Sequence, residues 1–375
     1  MSGLYIHVPF CAAKCRYCDF YSLPLACRNR ESPQRYLVAL DHELQMLPDT
    51  FQPTTIFVGG GTPTALPADS LSELLAMIRR LIDLTHVTEW SCEANPGTVT
   101  PDIARILYDG GVNRVSLGVQ SFDNGNLDLL GRIHSGEEAR GTFQLLRDTG
   151  FSNLNIDLMF AIPEATERML EDDLDTVIEL APEHISTYAL LFAPGTKLTE
   201  LRELGKLDEV SDDRQADQYT MIRRRLTEAG YQHYEISNFA KPGFECRHNL
   251  LYWGPGEYIG CGPAAHSHWN GARYGNRGDL AVYCDRIEKN QPAHTGEEHL
   301  APDAKAREAL VMGLRRIRGV DTKTFRLDTG YDVGELCGDP IESLLARGLL
   351  IKDDHHLRLA DDALFISNSV FSELV

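Results

Sequence analysis

Several features are missing from this 375-residue sequence, and each absence excludes a class of protein. No stretch approaches the roughly 20 apolar residues that a membrane-spanning helix needs. The first residues also lack a basic segment running into an apolar one, so neither a membrane span nor a secretory leader is expected. Positive charge is scarce: 36 Lys and Arg stand against 55 Asp and Glu, a net charge of −19. A surface of that sign repels phosphate backbones and anionic lipids, so nucleic acid is not an expected partner. There is no second C-x2-C pair to complete a four-thiolate zinc site, and Asp19 rather than His follows Cys18, which excludes a covalent haem attachment motif. The nine cysteines make an odd count, and Cys27, Cys92, Cys246, Cys261, Cys284 and Cys337 are scattered singly. That spacing does not suit a secreted disulfide framework; these thiols are expected to be reduced and mostly buried, in a cytoplasmic protein.

What is present begins with the stretch Gly3-Leu4-Tyr5-Ile6-His7-Val8-Pro9-Phe10-Cys11, an apolar strand that leads into Cys11, Cys15 and Cys18. Thiolates are soft ligands that select zinc or iron–sulfur clusters. A cubane cluster has four irons, so three thiolates leave one iron open for an outside ligand. Chemistry at a metal needs such an open position.

The rest of the chain has the length for a barrel-sized domain and a smaller one, and its 43% hydrophobic content supports a real core. Helical periodicity over 33–47 gives way to the β-branched run 54–58, which stops at Gly59-Gly60-Gly61-Thr62-Pro63. Three glycines let backbone N–H groups approach a ligand. The alternation then repeats: helix 70–84, strand 89–94, helix 102–109, strand 114–119, two helices within 123–149, strand 154–160, helix 167–180 and strand 184–190. Strands alternating with helices imply a parallel sheet with right-handed crossovers, here six units curled into an open partial (β/α)6 barrel. Ligands of such sheets gather at the C-terminal strand ends, where Glu93, Gln120 and Asp157 stand.

Beyond Pro194-Gly195 the pattern loosens. A charged helix over 212–229 leads to a segment rich in Gly, His and aromatics, 246–274, with high turn content and no helical period. Within it, His266 and His268 read as loop architecture. Two helices follow at 279–289 and 303–317, then short amphipathic stretches that suit a small helical unit with a β-wing. Winged units often bind DNA, but the acidity of this chain favours packing or partner docking. The organisation expected is 1–230 for the barrel, 231–300 for an extension and 301–375 for an α+β, winged-helix-like domain.

The pattern Cys11-x3-Cys15-x2-Cys18 with Tyr17 in the last gap, followed by the glycine turn at 59–63, resembles the radical-SAM superfamily. In that family three thiolates hold a 4Fe–4S cluster whose open iron is chelated by S-adenosylmethionine. Most of the chain is similar to the oxygen-independent coproporphyrinogen III oxidase group, through 5–11, Gly118-Val119-Gln120-Ser121-Phe122, Arg132 and Asn155-Ile156-Asp157. The resemblance implies that Tyr5, Gly60, Gly61, Thr62, Glu93, Gln120, Arg132 and Asp157 bind S-adenosylmethionine.

Two departures choose the branch. Oxidases of the group resemble C-x3-C-x2-C-x-C and carry a longer segment ahead of the cysteine strand, whereas here position 20 is Phe and the segment is absent. Instead His248-Asn249-Leu250-Leu251-Tyr252-Trp253 is similar to the H-N-x-x-Y-W motif of the haem-chaperone branch, HemW. That resemblance implies haem as a cofactor or cargo, with His248 as ligand, Cys246 as an alternative, and Tyr252 and Trp253 covering the macrocycle. It further implies delivery to acceptor haem proteins of respiration, with transient contact with membrane proteins and a homodimer left open. The chain is then mainly a chaperone, its S-adenosylmethionine site serving a structural, regulatory or undefined reactive role. The competing readings are a radical decarboxylase of coproporphyrinogen III and a radical enzyme that opens the haem ring.

Overall fold

The computed structural model describes residues 1–25 and 32–375, so Cys27 lies outside the described residues. Its centre is a parallel sheet built from the apolar runs read above: β1 (Ser2–Val8), β2 (Thr55–Gly60), β3 (Glu89–Ala94), β4 (Arg114–Gln120), β5 (Leu154–Phe160) and β6 (His184–Ala189), each pairing with the next. Leu4, Ile6, Val8, Ile56, Val58, Val115, Leu117, Leu154 and Ile156 of these strands are all fully buried. Helices cover the outer face, as near-continuous apolar strands require.

Local signals set the helix limits. Helix Pro101–Gly110 starts with Pro at its first position and Thr100 accepting the Ile103 N–H, and it stops at Gly111 in the left-handed region. Helix Gly136–Thr149 opens on a capping box between Ser135 and Glu138. The expected helix 167–180 is found as Glu167–Leu180.

The segment 246–274 departs from expectation. Arg247–Tyr252 is a short helix, and β9 (Glu257–Cys261), β10 (His266–Trp269) and β11 (Ala272–Gly275) are strands, so His266 and His268 sit on a strand rather than in a loop. Strand β9 pairs parallel with β1, adding a seventh parallel strand outside the six expected. With β7 (Gln232–Glu235) and β8 (Asn238–Ala240), the sheet has eleven strands in the order β11-β10-β9-β1-β2-β3-β4-β5-β6-β8-β7, and it does not close. Residues 231–300 therefore extend the same sheet at both of its edges.

The C-terminal unit packs helices Pro302–Leu314, Thr322–Thr329 and Val333–Ala346 with a three-stranded sheet of β12 (Val320–Asp321), β13 (Leu350–Lys352) and β14 (His356–Leu359). The antiparallel β13–β14 hairpin is the expected wing. Among the described residues no helix is long and apolar enough to cross a membrane.

Candidate functional site

A cavity of about 540 Å³ opens at the C-terminal ends of the parallel strands. Its lining brings together residues scattered over nearly 250 positions: Cys11, Cys15 and Cys18 from the loop after β1, Tyr5 on β1, Gly60, Gly61 and Thr62 at the end of β2, Glu93 on β3, Gln120 and Arg132 around β4, Asp157 on β5, and His248 and Tyr252 on the short helix. Of the expected site residues only Cys246 and Trp253 are not among those that line it.

Backbone requirements explain the glycines. Gly60 has φ +102°, and a Cβ there would meet the His7 imidazole at 2.5 Å. A Cβ on Gly61 would meet the Phe10 carbonyl oxygen at 2.5 Å, so the turn lies directly against the strand that feeds the cysteines. The Gly60 N–H donates to Glu93 Oε2 at 3.0 Å, which aims that carboxyl at the turn.

The three thiols are free and face one space. Arg132 Nη1 donates to Cys15 Sγ at 3.2 Å and Thr62 Oγ1 donates to Cys11 Sγ at 3.5 Å, so two of the three sulfurs are held in place by donors that line the same cavity. Arg132 is anchored by a second donation to the Gly118 carbonyl. Among the described residues no three metal-ligating side chains converge on one point. Three soft sulfur donors that line one cavity, with no second cysteine pair to complete a four-thiolate zinc site, fit an iron–sulfur cluster.

The acids of the floor are held in low dielectric. Burial raises Glu93 to about 7, with Asp157 adding to the rise, while the Gly60 N–H and Arg114 oppose it. Burial also raises Asp157, against hydrogen bonds from Asn155, Ser186 and Ser116 and the charge of Arg114. A further cation bound beside two acids that face one cavity favours ionisation of both. The ammonium and sulfonium of S-adenosylmethionine are such cations, so the floor fits that group.

His248 sits at the bottom of the cavity, 1% exposed. Its Nδ1 lies 2.8 Å from Thr55 Oγ1 and its Nε2 lies 2.9 Å from the Tyr252 hydroxyl. Burial and the nearby Arg114 lower its pKa to about 3, which keeps the imidazole neutral. Gly3 makes room for it, since a Cβ there would meet His248 Cε1 at 2.9 Å. Cys246 is wholly buried with its pKa pushed up to about 12 by burial, and Trp253 packs under the Arg315 guanidinium at 4.4 Å.

Three residues take roles in the site that the sequence did not assign, Asn155 having been read only as part of the stretch 155–157. Glu89, at the start of β3, accepts from the backbone N–H of Arg247 at 2.9 Å and of His248 at 3.0 Å, and so caps the helix that carries His248. Arg114 is fully buried in the cavity wall with the acids Glu89 and Asp157 near its guanidinium. Asn155 donates to Asp157 at 2.6 Å and bonds His184 Nδ1 through its own oxygen at 2.6 Å. His184 Nε2 in turn reaches Tyr234, whose hydroxyl accepts from the Cys246 N–H at 3.3 Å. A hydrogen-bonded chain thus runs from Asp157 to the start of the His248 helix. Nothing in the local sequence marked Arg114, the first residue of its strand.

Comparison with known proteins agrees with this geometry. The radical SAM superfamily pattern matches residues 5–177, and the HemN C-terminal domain matches residues 300–366. The "Heme chaperone HemW" of Bacillus subtilis (strain 168) is 34% identical over 99% of this chain and 98% of its own length. The chain belongs to the HemW family. The HemW of Lactococcus lactis is likewise 34% identical over 100% of this chain and 97% of its own, and that of Escherichia coli is 40% identical over 70% and 69%. Among solved structures, coproporphyrinogen III oxidase (HemN) from Escherichia coli superposes with TM-score 0.85 at 23% identity, covering 100% of this chain and 89% of that one, a likeness of fold. Membership of the radical SAM superfamily implies a 4Fe–4S cluster and S-adenosylmethionine.

Proposed function

We propose that this protein is a haem chaperone that binds haem and passes it to acceptor haem proteins of respiration. The observation that carries this reading is similarity along the full chain to proteins named heme chaperones. Phe20, in place of the fourth cysteine of the oxidase-like pattern, supports it.

In this reading Cys11, Cys15 and Cys18 hold the cluster, with Arg132 and Thr62 donating to two of the sulfurs. Glu93 and Asp157 face the cationic groups of S-adenosylmethionine, Gly60, Gly61 and Thr62 admit its polar end to the backbone, and Tyr5, Gln120 and Arg132 complete its walls. When bound, the cluster and S-adenosylmethionine supply one-electron chemistry. His248 is the haem ligand: burial keeps it neutral and so preserves the lone pair that iron takes. One ring nitrogen must release Thr55 or Tyr252 to do so, and Tyr252 is the partner that also lines the cavity.

Titration of anaerobically prepared protein with hemin, followed by addition of an apo haem protein, tests the proposal. The wild type is expected to bind hemin and surrender it, and His248→Ala to bind at least tenfold more weakly. Absence of hemin binding by the wild type overturns the proposal.

A further inference from the structure

The floor of the cavity is closed to a macrocycle in the observed arrangement, because His248 is buried and both its nitrogens are engaged. The mouth has the opposite character. Phe20 is 64% exposed and Leu191 is 73% exposed, and both line the same cavity. They come from different parts of the chain: Phe20 follows the cysteine loop and Leu191 follows β6. Tyr188, 41% exposed, lines the cavity as well. Leu204 and Leu327 are as exposed, at 66% and 78%, but neither lines this cavity, whereas Phe20 and Leu191 both do, which makes them a shared apolar surface rather than scattered exposed residues. Lys14 lines this mouth too, its ammonium 3.5 Å from the Phe20 carbonyl, with Asp19 beside it.

We infer that Phe20 and Leu191 form an apolar platform at the cavity mouth on which the porphyrin face is received and from which it leaves. The inference rests on the chaperone reading above and adds to it a residue set outside the His248 motif. A flat apolar macrocycle stacks on an aromatic ring and an aliphatic side chain without needing its metal. Its propionates are anions, and Lys14 offers a cation at the edge of the platform. A shallow, solvent-open contact also suits a carrier, because exchange of cargo is governed by the dissociation rate and a half-exposed ligand has less surface to uncover on leaving.

Metal-free protoporphyrin IX isolates this contact, since it cannot be ligated by His248. Its affinity for the full-length protein, read by fluorescence anisotropy, is expected to fall tenfold or more in Phe20→Ala/Leu191→Ala. The conservative pair Phe20→Leu/Leu191→Met is expected to retain most of it. Both side chains are exposed, so the variants keep the wild-type circular dichroism spectrum, and that measurement accompanies the titration. Equal affinity of the Ala pair and the wild type, with hemin still bound by both, overturns the platform and leaves the chaperone reading standing. A wild type that binds neither porphyrin overturns both.

Discussion

The floor and the mouth of one cavity are built on opposite principles. At the floor, Arg114 and His248 are buried and Glu93 and Asp157 are half-buried, and their polar contacts are fixed by strand position and by neighbours such as Asn155 and Thr55. At the mouth, Phe20 and Leu191 stand in solvent. A preorganised polar floor selects a small charged ligand, because any group that does not match leaves a buried charge unpaired. An apolar rim selects only for flat hydrophobic surface. In the reading proposed above, the floor holds the resident group and the mouth receives the visiting one within a single space.

Substitutions at the two levels sharpen that contrast. The largest effect is expected from Cys15→Ser, which should lower iron after anaerobic reconstitution from about four atoms per chain toward zero, read by metal analysis. Glu89→Ala removes the cap of the His248 helix and strips Arg114 of a buried counter-charge, and should cost roughly 3–5 kcal/mol in denaturant unfolding. Glu89→Gln, which keeps a polar side chain, should cost less. Gly60→Ala forces a Cβ into His7 at a left-handed φ and should cost about 1–3 kcal/mol by the same measurement.

A pH series addresses Glu93. Its folded pKa of about 7 lies above the usual carboxylate value, so the folded state holds a proton that the unfolded state has released. The stability this group contributes is full below about 4.5, the ordinary value, and falls as pH rises toward 7. The wild type should therefore lose stability relative to Glu93→Gln across that window, by on the order of 1–3 kcal/mol. Histidines whose pKa burial lowers, such as His134 and His233, push the other way in both proteins and cancel in the difference. The smallest effect is expected at the mouth: Phe20→Ala should change unfolding stability by no more than about 0.5 kcal/mol, because an exposed side chain has little burial to lose. A large loss there would erase the distinction between floor and mouth.

The parallel core was legible because its strands are short runs rich in apolar residues that alternate with helices carrying caps of their own, as at Thr100 and Ser135. The cavity residues were legible through motif resemblance, and the structure assembles nearly all of them. The short helix Arg247–Tyr252 was not. It is too short for a period to show, and its stabilising carboxylate, Glu89, lies 158 residues away. Strand β9 escaped for a similar reason, since five residues containing Gly260 have little local preference and gain their place from β1. Arg114 is hidden by identity, because arginine in a sequence reads as surface charge until its buried partners are known.

The position of β1 between β2 and β9 has a consequence for the order of assembly. Strand β1 leaves the ribosome long before its second partner and cannot complete its pairing until residues 257–261 have been made. At about 5–20 residues per second, that interval is on the order of ten to fifty seconds. During it the strand that feeds the cysteines has one unsatisfied edge, open to wrong partners. Nascent chains stalled before Glu257 should then be the most vulnerable ones, to protease and to self-association alike.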